Sequence, residues 1–236
     1  MPSLRTLFID AGGVLVHPNW ERAASTLTRH GSPVTAAQLA AADPLARRDI
    51  DDAAHIQRTD DRTRGWRYFD LVLHHAAVTA GEVTDRALAE LQAYHREHNV
   101  WEHLPAEVVP ALGRLRARGL RLVVVSNANG RLAAMLDRIG LRPHVDVVLD
   151  SFDWGVEKPD PRLFHLALAQ SGAEADSTVH VGDLYHVDVA GARAAGLAGS
   201  VLFDAAGLYP DADCPRVANW LELEAHVDRL QGHPSS

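Results

Sequence analysis

At 236 residues the chain can bury a substantial core, either as one large domain or as a domain carrying an insertion. A net charge of -8 offers no basic excess to neutralise a phosphate backbone, which excludes nucleic acid as an expected partner, while a small anionic ligand needs only local positive charge. The single cysteine, Cys214, rules out an intrachain disulfide framework. The start of the chain has no secretory signal, and no apolar run approaches the roughly 20 residues of a spanning helix, so the expectation is a cytoplasmic protein without membrane contact.

The apolar run from Leu4 to Ile9 predicts a buried strand ending at Asp10, with Ala11-Gly12-Gly13 where the backbone turns and a ligand could approach. An acid at the carboxyl end of such a strand is a candidate nucleophile or metal ligand, and the same pattern also serves simply to cap a turn. From about 19 to 100 apolar residues recur at helical spacing, as in Leu71, His74, His75 and Val78 or Leu88, Leu91 and Tyr94. Gly31, Pro33, Pro44 and Gly81 are expected breaks, which predicts a bundle of about four helices without a strand.

From 104 onward helix and strand alternate. Pro105 opens a helix facing inward with Val108, Ala111, Leu112 and Leu115 and closed by Gly119. A strand follows from Leu120 to Val125, ending at Ser126-Asn127. Leu132, Met135, Leu136 and Ile139 line the next helix, and Val145 to Leu149 is the third strand. Asp160-Pro161 caps a helix carrying Leu163, Phe164, Ala167 and Leu168. Thr178 to Val181 is the fourth strand, ending at Gly182-Asp183, and a small-residue helix spans about 187 to 195. Ser200 to Phe203 is the fifth strand, the last helix buries Trp220, Leu223, Val227 and Leu230, and the tail after Gly232 is expected to be loose. The alternation predicts an α/β fold, a Rossmann-like parallel sheet core from residues 1–16 and 101–236. The helical bundle of 17–100 is inserted beside the mouth where Asp10 points, and there it can serve as a lid.

Of 23 basic residues, 22 are arginine; the one lysine is Lys158, just before a helix. A chain that uses arginine for generic charge places a compact ammonium at one point only, which marks Lys158 for chemistry. Asp10, Ser126-Asn127, Lys158 and Gly182-Asp183 with Asp188 all fall at strand tips or helix starts on one sheet edge. Together they offer what phosphoryl transfer through an aspartyl-phosphate with Mg²⁺ needs.

These stretches resemble the haloacid dehalogenase superfamily. The resemblance rests on Asp10 in Phe-Ile-Asp-Ala-Gly-Gly-Val-Leu, Ser126 in Val-Val-Val-Ser-Asn, Lys158 in Glu-Lys-Pro-Asp-Pro, and Gly182-Asp183 with Asp188 in Val-Gly-Asp-Leu-Tyr-His-Val-Asp. The insertion resembles the helical cap of the branch whose cap lies between the first two motifs. The resemblance implies an enzyme, a phosphoric monoester hydrolase acting on a small phosphorylated metabolite. It implies Asp10 as nucleophile, Mg²⁺ held by Asp10, the Gly12 carbonyl and Asp183, and phosphoryl oxygens held by Ser126 and the Asn127 backbone. It also implies Lys158 as the neutralising cation, with Asp188 orienting Lys158 or a metal-bound water.

One position departs from the pattern. Gly12 stands where phosphatases of the family usually carry a second aspartate that protonates the leaving group. That departure keeps two alternatives open, a metal-free 2-haloacid dehalogenase and a phosphate-binding protein with little turnover. A phosphonate-cleaving enzyme is excluded, since no lysine for its Schiff base exists in residues 15–100. His17 is a candidate replacement for the missing acid/base. Arg58, Arg62, Arg64 and Arg67 with Trp66 could form a cationic lip, but the interleaved Asp60 and Asp61 favour a solvated, ion-paired helix face. His74-His75 and His95 with His98 are read as ordinary helix histidines.

Overall fold

The structure, a computed structural model, describes residues 3–56, 58 and 61–232. The tail after Gly232 lies outside them. They divide into two compact units, one running to His17 and resuming at Leu104, the other spanning Pro18–His103. The expected breaks stood at 16/17 and 100/101; His17 belongs instead to the first unit, and Trp101, Glu102 and His103 to the helical one. Trp101 packs on Tyr68, and Glu102 accepts from Asn19 Nδ2 (3.0 Å), Arg22 Nε (3.2 Å) and the Tyr94 hydroxyl (2.9 Å).

In the first unit the chain runs β1 (Thr6–Ile9), α6 (Val108–Ala117), β2 (Arg121–Ser126), α7 (Leu132–Arg138), β3 (Val147–Asp150) and α8 (Ser151–Trp154). It continues through α9 (Pro161–Ser171), β4 (Thr178–Gly182), α10 (Ala190–Ala194), β5 (Gly199–Phe203), β6 (Arg216–Val217) and α11 (Trp220–Leu230). All strand pairs are parallel and the sheet order is β3-β2-β1-β4-β5-β6. Every residue of β1 and β4 is buried, as a parallel sheet covered on both faces requires. β1 lies between β2 and β4, so the tips that carry Asp10, Ser126 and Asp183 are neighbours along one edge.

The first unit differs from the sequence reading in several details. β6 was not anticipated, because two residues carry no periodicity. The helix expected from Pro105 begins at Val108. Leu230 is 40% exposed, and Glu224 occupies the buried stripe of α11 in its stead, with Arg114 and Arg118 reaching its carboxylate at 2.7 Å and 3.3 Å. A buried carboxylate is tolerated there because two guanidinium groups neutralise it.

The second unit contains α1 (Trp20–His30), α2 (Ala36–Ile50), α3 (Ala53–Ile56), α4 (Asp61–His75) and α5 (Glu82–His98), with no strand among the described residues. Its core gathers Trp20, Leu27, Leu39, Phe69, Val72 and Leu91. Pro44 does not break the helix as expected. α2 runs through it, because the packing of Leu39, Ala42, Ala46 and Ile50 and the bonds of buried Asp43 to the Tyr68 hydroxyl and Arg47 Nε (both 2.6 Å) outweigh one lost amide bond. No helix among the described residues is long and apolar enough to cross a membrane.

Candidate active site

Asp10 follows the last residue of β1, its N–H donating to the Val181 carbonyl (2.9 Å) and its Oδ1 accepting from the Ala11 N–H (2.8 Å). The turn that follows is closed by Gly13 N–H to Val16 O (2.8 Å), and it is Gly13, at φ +79°, that holds the left-handed conformation glycine favours. Gly12 bridges to Val16 within the same turn.

Lys158 is 1% exposed, its Nζ lying 2.9 Å from Asp10 Oδ1 and 2.6 Å from Asp188 Oδ1. Burial works against its charge, but the Asp10 and Asp188 carboxylates outweigh it and hold the ammonium above the ordinary lysine range. Burial would likewise raise Asp188, yet Lys158 and the neighbouring His180 N–H hold it well below the usual carboxylate range. Asp188 sits in a π-helical turn, Tyr185–Val189, where the small-residue helix was expected to begin. Its Oδ1 accepts from Lys158 Nζ and His180 Nε2, and its Oδ2 from the Leu184 N–H at 3.1 Å.

Asn127 was read for its backbone alone, but its side chain does more. Oδ1 accepts from the Lys158 N–H at 2.7 Å and Nδ2 donates to the Lys158 carbonyl at 2.9 Å, so the loop after β2 fixes the peptide that carries the lysine. That loop is itself pinned to the end of β3. Asp150 accepts from the N–H groups of Gly130, Leu132 and Phe152 (2.8, 3.2 and 3.0 Å), and Ser151 Oγ accepts from the Ala128 N–H at 3.1 Å. The Ser126 hydroxyl reaches only the Asn127 carbonyl, at 3.4 Å, too long to commit it.

Asp10, Asp183 and Asp188 each bring one carboxylate oxygen within 4.8 Å of the others, the one such group among the described residues. Asp188 engages Lys158, His180 and Leu184 through its two oxygens, and Asp10 and Asp183 are the other two carboxylates of the group that could hold a metal. An all-oxygen donor set suits a hard cation such as Mg²⁺, so the residues present fit that ion.

The structure therefore brings Asp10, Ser126, Asn127, Lys158, Asp183 and Asp188 to one sheet edge, with Gly12 in the adjoining turn and half-buried His17 just beyond it. Two residues were missed. His180 is a histidine within the buried strand Thr178–Gly182, and that break in an apolar run was the available signal. Asp150, raised by burial against its three N–H bonds, sits at a strand tip like Asp10.

The other clusters have ordinary partners. Arg64 is buried rather than solvated, Trp66 stacks on Phe69 at 5.3 Å, His75 meets Asp49 at 2.7 Å and His98 stacks on Tyr94. Asp60 and the side chains of Asp61 and Arg62 lie outside the described residues.

The site is thus a strand-tip carboxylate beside a buried lysine on a parallel α/β sheet, and comparison with known proteins gives the family. A model of the haloacid dehalogenase-like hydrolases matches residues 4–196, and the chain belongs to that family. Haloacid dehalogenase-like hydrolase domain-containing protein 3 of Bos taurus is 38% identical over 133 residues, which cover 55% of this chain and 53% of that protein. Phosphoserine phosphatase of Thermus thermophilus is 37% identical over 127 residues, 53% of this chain and 51% of that one. The chain spans about half the length of these curated relatives. Among solved structures, the magnesium-bound HAD-hydrolase YfnB of Bacillus subtilis shares the fold with a TM-score of 0.70 at 17% identity, covering 96% of this chain and 100% of that one.

Proposed function

We propose that the protein is an Mg²⁺-dependent phosphatase that hydrolyses a small phosphorylated metabolite through an aspartyl-phosphate on Asp10. One observation carries this reading. Asp10 Oδ1 is fixed by the Ala11 N–H and the Lys158 ammonium, while Oδ2 has no partner among the described residues and is left for attack. The kinship with phosphoserine phosphatase supports it.

In this scheme Asp10 Oδ2 forms a bond to phosphorus as the ester oxygen departs with the electron pair of the broken P–O bond. Water then cleaves the acyl phosphate and restores the carboxylate. The Ser126 hydroxyl and the Asn127 N–H receive the phosphoryl oxygens, and Lys158 meets the charge that builds on them. Asp10 and Asp183, with the Gly12 carbonyl, would hold the metal. When bound, Mg²⁺ supplies a Lewis acid that withdraws charge from the phosphoryl group. Gly12 offers no proton to the departing oxygen, so aryl and acyl phosphates and sugar 1-phosphates, which leave well unaided, are favoured over alkyl phosphates. The residues that select among them are assigned to the inserted helical unit, Pro18–His103.

The test is turnover of p-nitrophenyl phosphate with Mg²⁺, in EDTA and in Asp10→Asn. Both perturbations are expected to bring it to background. Undiminished turnover in EDTA overturns the reading, and halide release from a 2-haloacid in EDTA would replace it with the dehalogenase. Stable binding of phosphate without turnover would replace it with the binding protein.

A further inference from the structure

We propose that His180 is a positioning residue, holding Asp188 and through it the Lys158 ammonium in the geometry for phosphoryl transfer. The proposal rests on the phosphatase reading of the same site.

His180 lies in the middle of β4 with no exposed surface, in register with Phe8 of β1. Its ring meets Phe164 of α9 edge-on, centroids 5.0 Å apart at 80°. Nε2 is 2.9 Å from Asp188 Oδ1, while Nδ1 is buried without any partner. The contact with the Asp188 carboxylate selects the tautomer. Asp188 is held ionised and can only accept, so Nε2 must carry the hydrogen. Burial holds the ring below the ordinary histidine range, against the pull of Asp188, and the neutral ring then leaves Nδ1 as a bare lone pair. An unsatisfied buried acceptor in a strand where valine or leucine would pack costs stability, and such a cost calls for a reason. The bond to Asp188 is that reason.

Strand geometry supports the assignment. Positions 180 and 182 point to the same face of β4, and both are given over to Asp188. His180 donates to the carboxylate, and Gly182 makes room for it: a Cβ at 182 would lie 2.0 Å from Asp188 Cγ. With the Leu184 N–H on Oδ2, the carboxylate cannot turn, and Oδ1 meets Lys158 at one point. Without the His180 donor, Oδ1 is free to swing and draw the ammonium off its line to Asp10, and a displacement of about 1 Å near reacting atoms can cost on the order of 10²-fold in rate.

Steady-state kinetics on p-nitrophenyl phosphate with Mg²⁺ test the proposal in two variants. His180→Leu, which keeps the volume and loses the donor, is expected to lower kcat by about 10- to 100-fold with KM within about threefold, since the Lys158 charge remains in the site. His180→Gln, whose amide nitrogen can reach Asp188, is expected to recover most of the loss. Should His180→Leu not fold, His180→Asn replaces it, since the shorter amide cannot reach. Nitrogen NMR of the wild-type imidazole is expected to show the Nε2–H tautomer. Unchanged kcat in His180→Leu, equal losses in the leucine and glutamine variants, or a protonated Nδ1 overturns the proposal. Absence of phosphatase activity in the wild type overturns the phosphatase reading and the positioning role with it, whereas the tautomer still reports separately on the His180–Asp188 contact.

Discussion

Replacing Lys158 by arginine keeps the charge and asks whether the site needs a compact ammonium. Nζ is held at 2.6 Å from Asp188 Oδ1 and 2.9 Å from Asp10 Oδ1 in a space that is 1% exposed. A guanidinium brings five N–H donors in a planar fork, but Asp188 Oδ2 is already occupied by the Leu184 N–H, so a bidentate pair with that carboxylate cannot form. The extra volume costs about 1–3 kcal/mol, which for a chain of this size lowers Tm by roughly 2–12 °C. The loss in rate is larger. Groups that stabilise developing charge contribute about 10²- to 10³-fold each in kcat, and Lys158→Arg is expected to lose at least ~10² while remaining folded. The assay is aryl phosphate turnover with Mg²⁺, paired with a thermal melt and a far-UV spectrum. A folded Lys158→Arg protein with near wild-type kcat would refute the reasoning and make the lone lysine incidental.

Asn127→Ala removes the two bonds to the Lys158 peptide, at 2.7 and 2.9 Å; the expected cost is about 1–3 kcal/mol, with kcat reduced roughly tenfold or more as the lysine backbone shifts. A variant with unaltered melting and turnover would show that the side chain holds nothing the site needs. His95 supplies a pH dependence of stability. Burial, with a smaller push from Arg96, lowers it to about 4 from 6.5, and its Nδ1 accepts from the Val100 N–H at 3.3 Å, which requires the neutral ring. The unfolded chain therefore binds a proton that the folded one refuses, so stability falls as pH drops from about 6.5 to about 4, by at most about 1.4 kcal/mol per unit from this group. His95→Phe is expected to flatten that part of a melting profile, and an unchanged slope would contradict it.

The sheet was readable because parallel strands buried on both faces are short apolar runs, and Leu4 to Ile9 or Leu122 to Val125 can hardly be anything else. Where the reading failed, a neighbour far along the chain decided the outcome. Pro44 looks like a break until Tyr68, on another helix, is seen to hold Asp43. Leu230 looks like the apolar stripe of α11 until Glu224 takes that place with arginines from α6 and its end, Arg114 and Arg118. Two-residue β6 offered nothing to read.

The site divides along the same physical line. Asp10, Ser126 and Asp183 stand at strand tips, so locating the strands locates them, and Lys158 was marked by composition. Their supports were not open to that reasoning, because they act across the fold: the Asn127 side chain on the Lys158 peptide, and His180 on Asp188. Gly182 is the clearest case. In sequence it belongs to a Gly-Asp turn and invites an explanation from backbone freedom, yet it holds no left-handed conformation. The constraint is space. The Asp188 carboxylate lies where any side chain at 182 would go, and it does so only once the π-helical turn has folded back over the strand. Glycine at 182 is thus required by a partner that no local reading of Val181-Gly182-Asp183 contains, and the same partner accounts for the histidine two residues earlier.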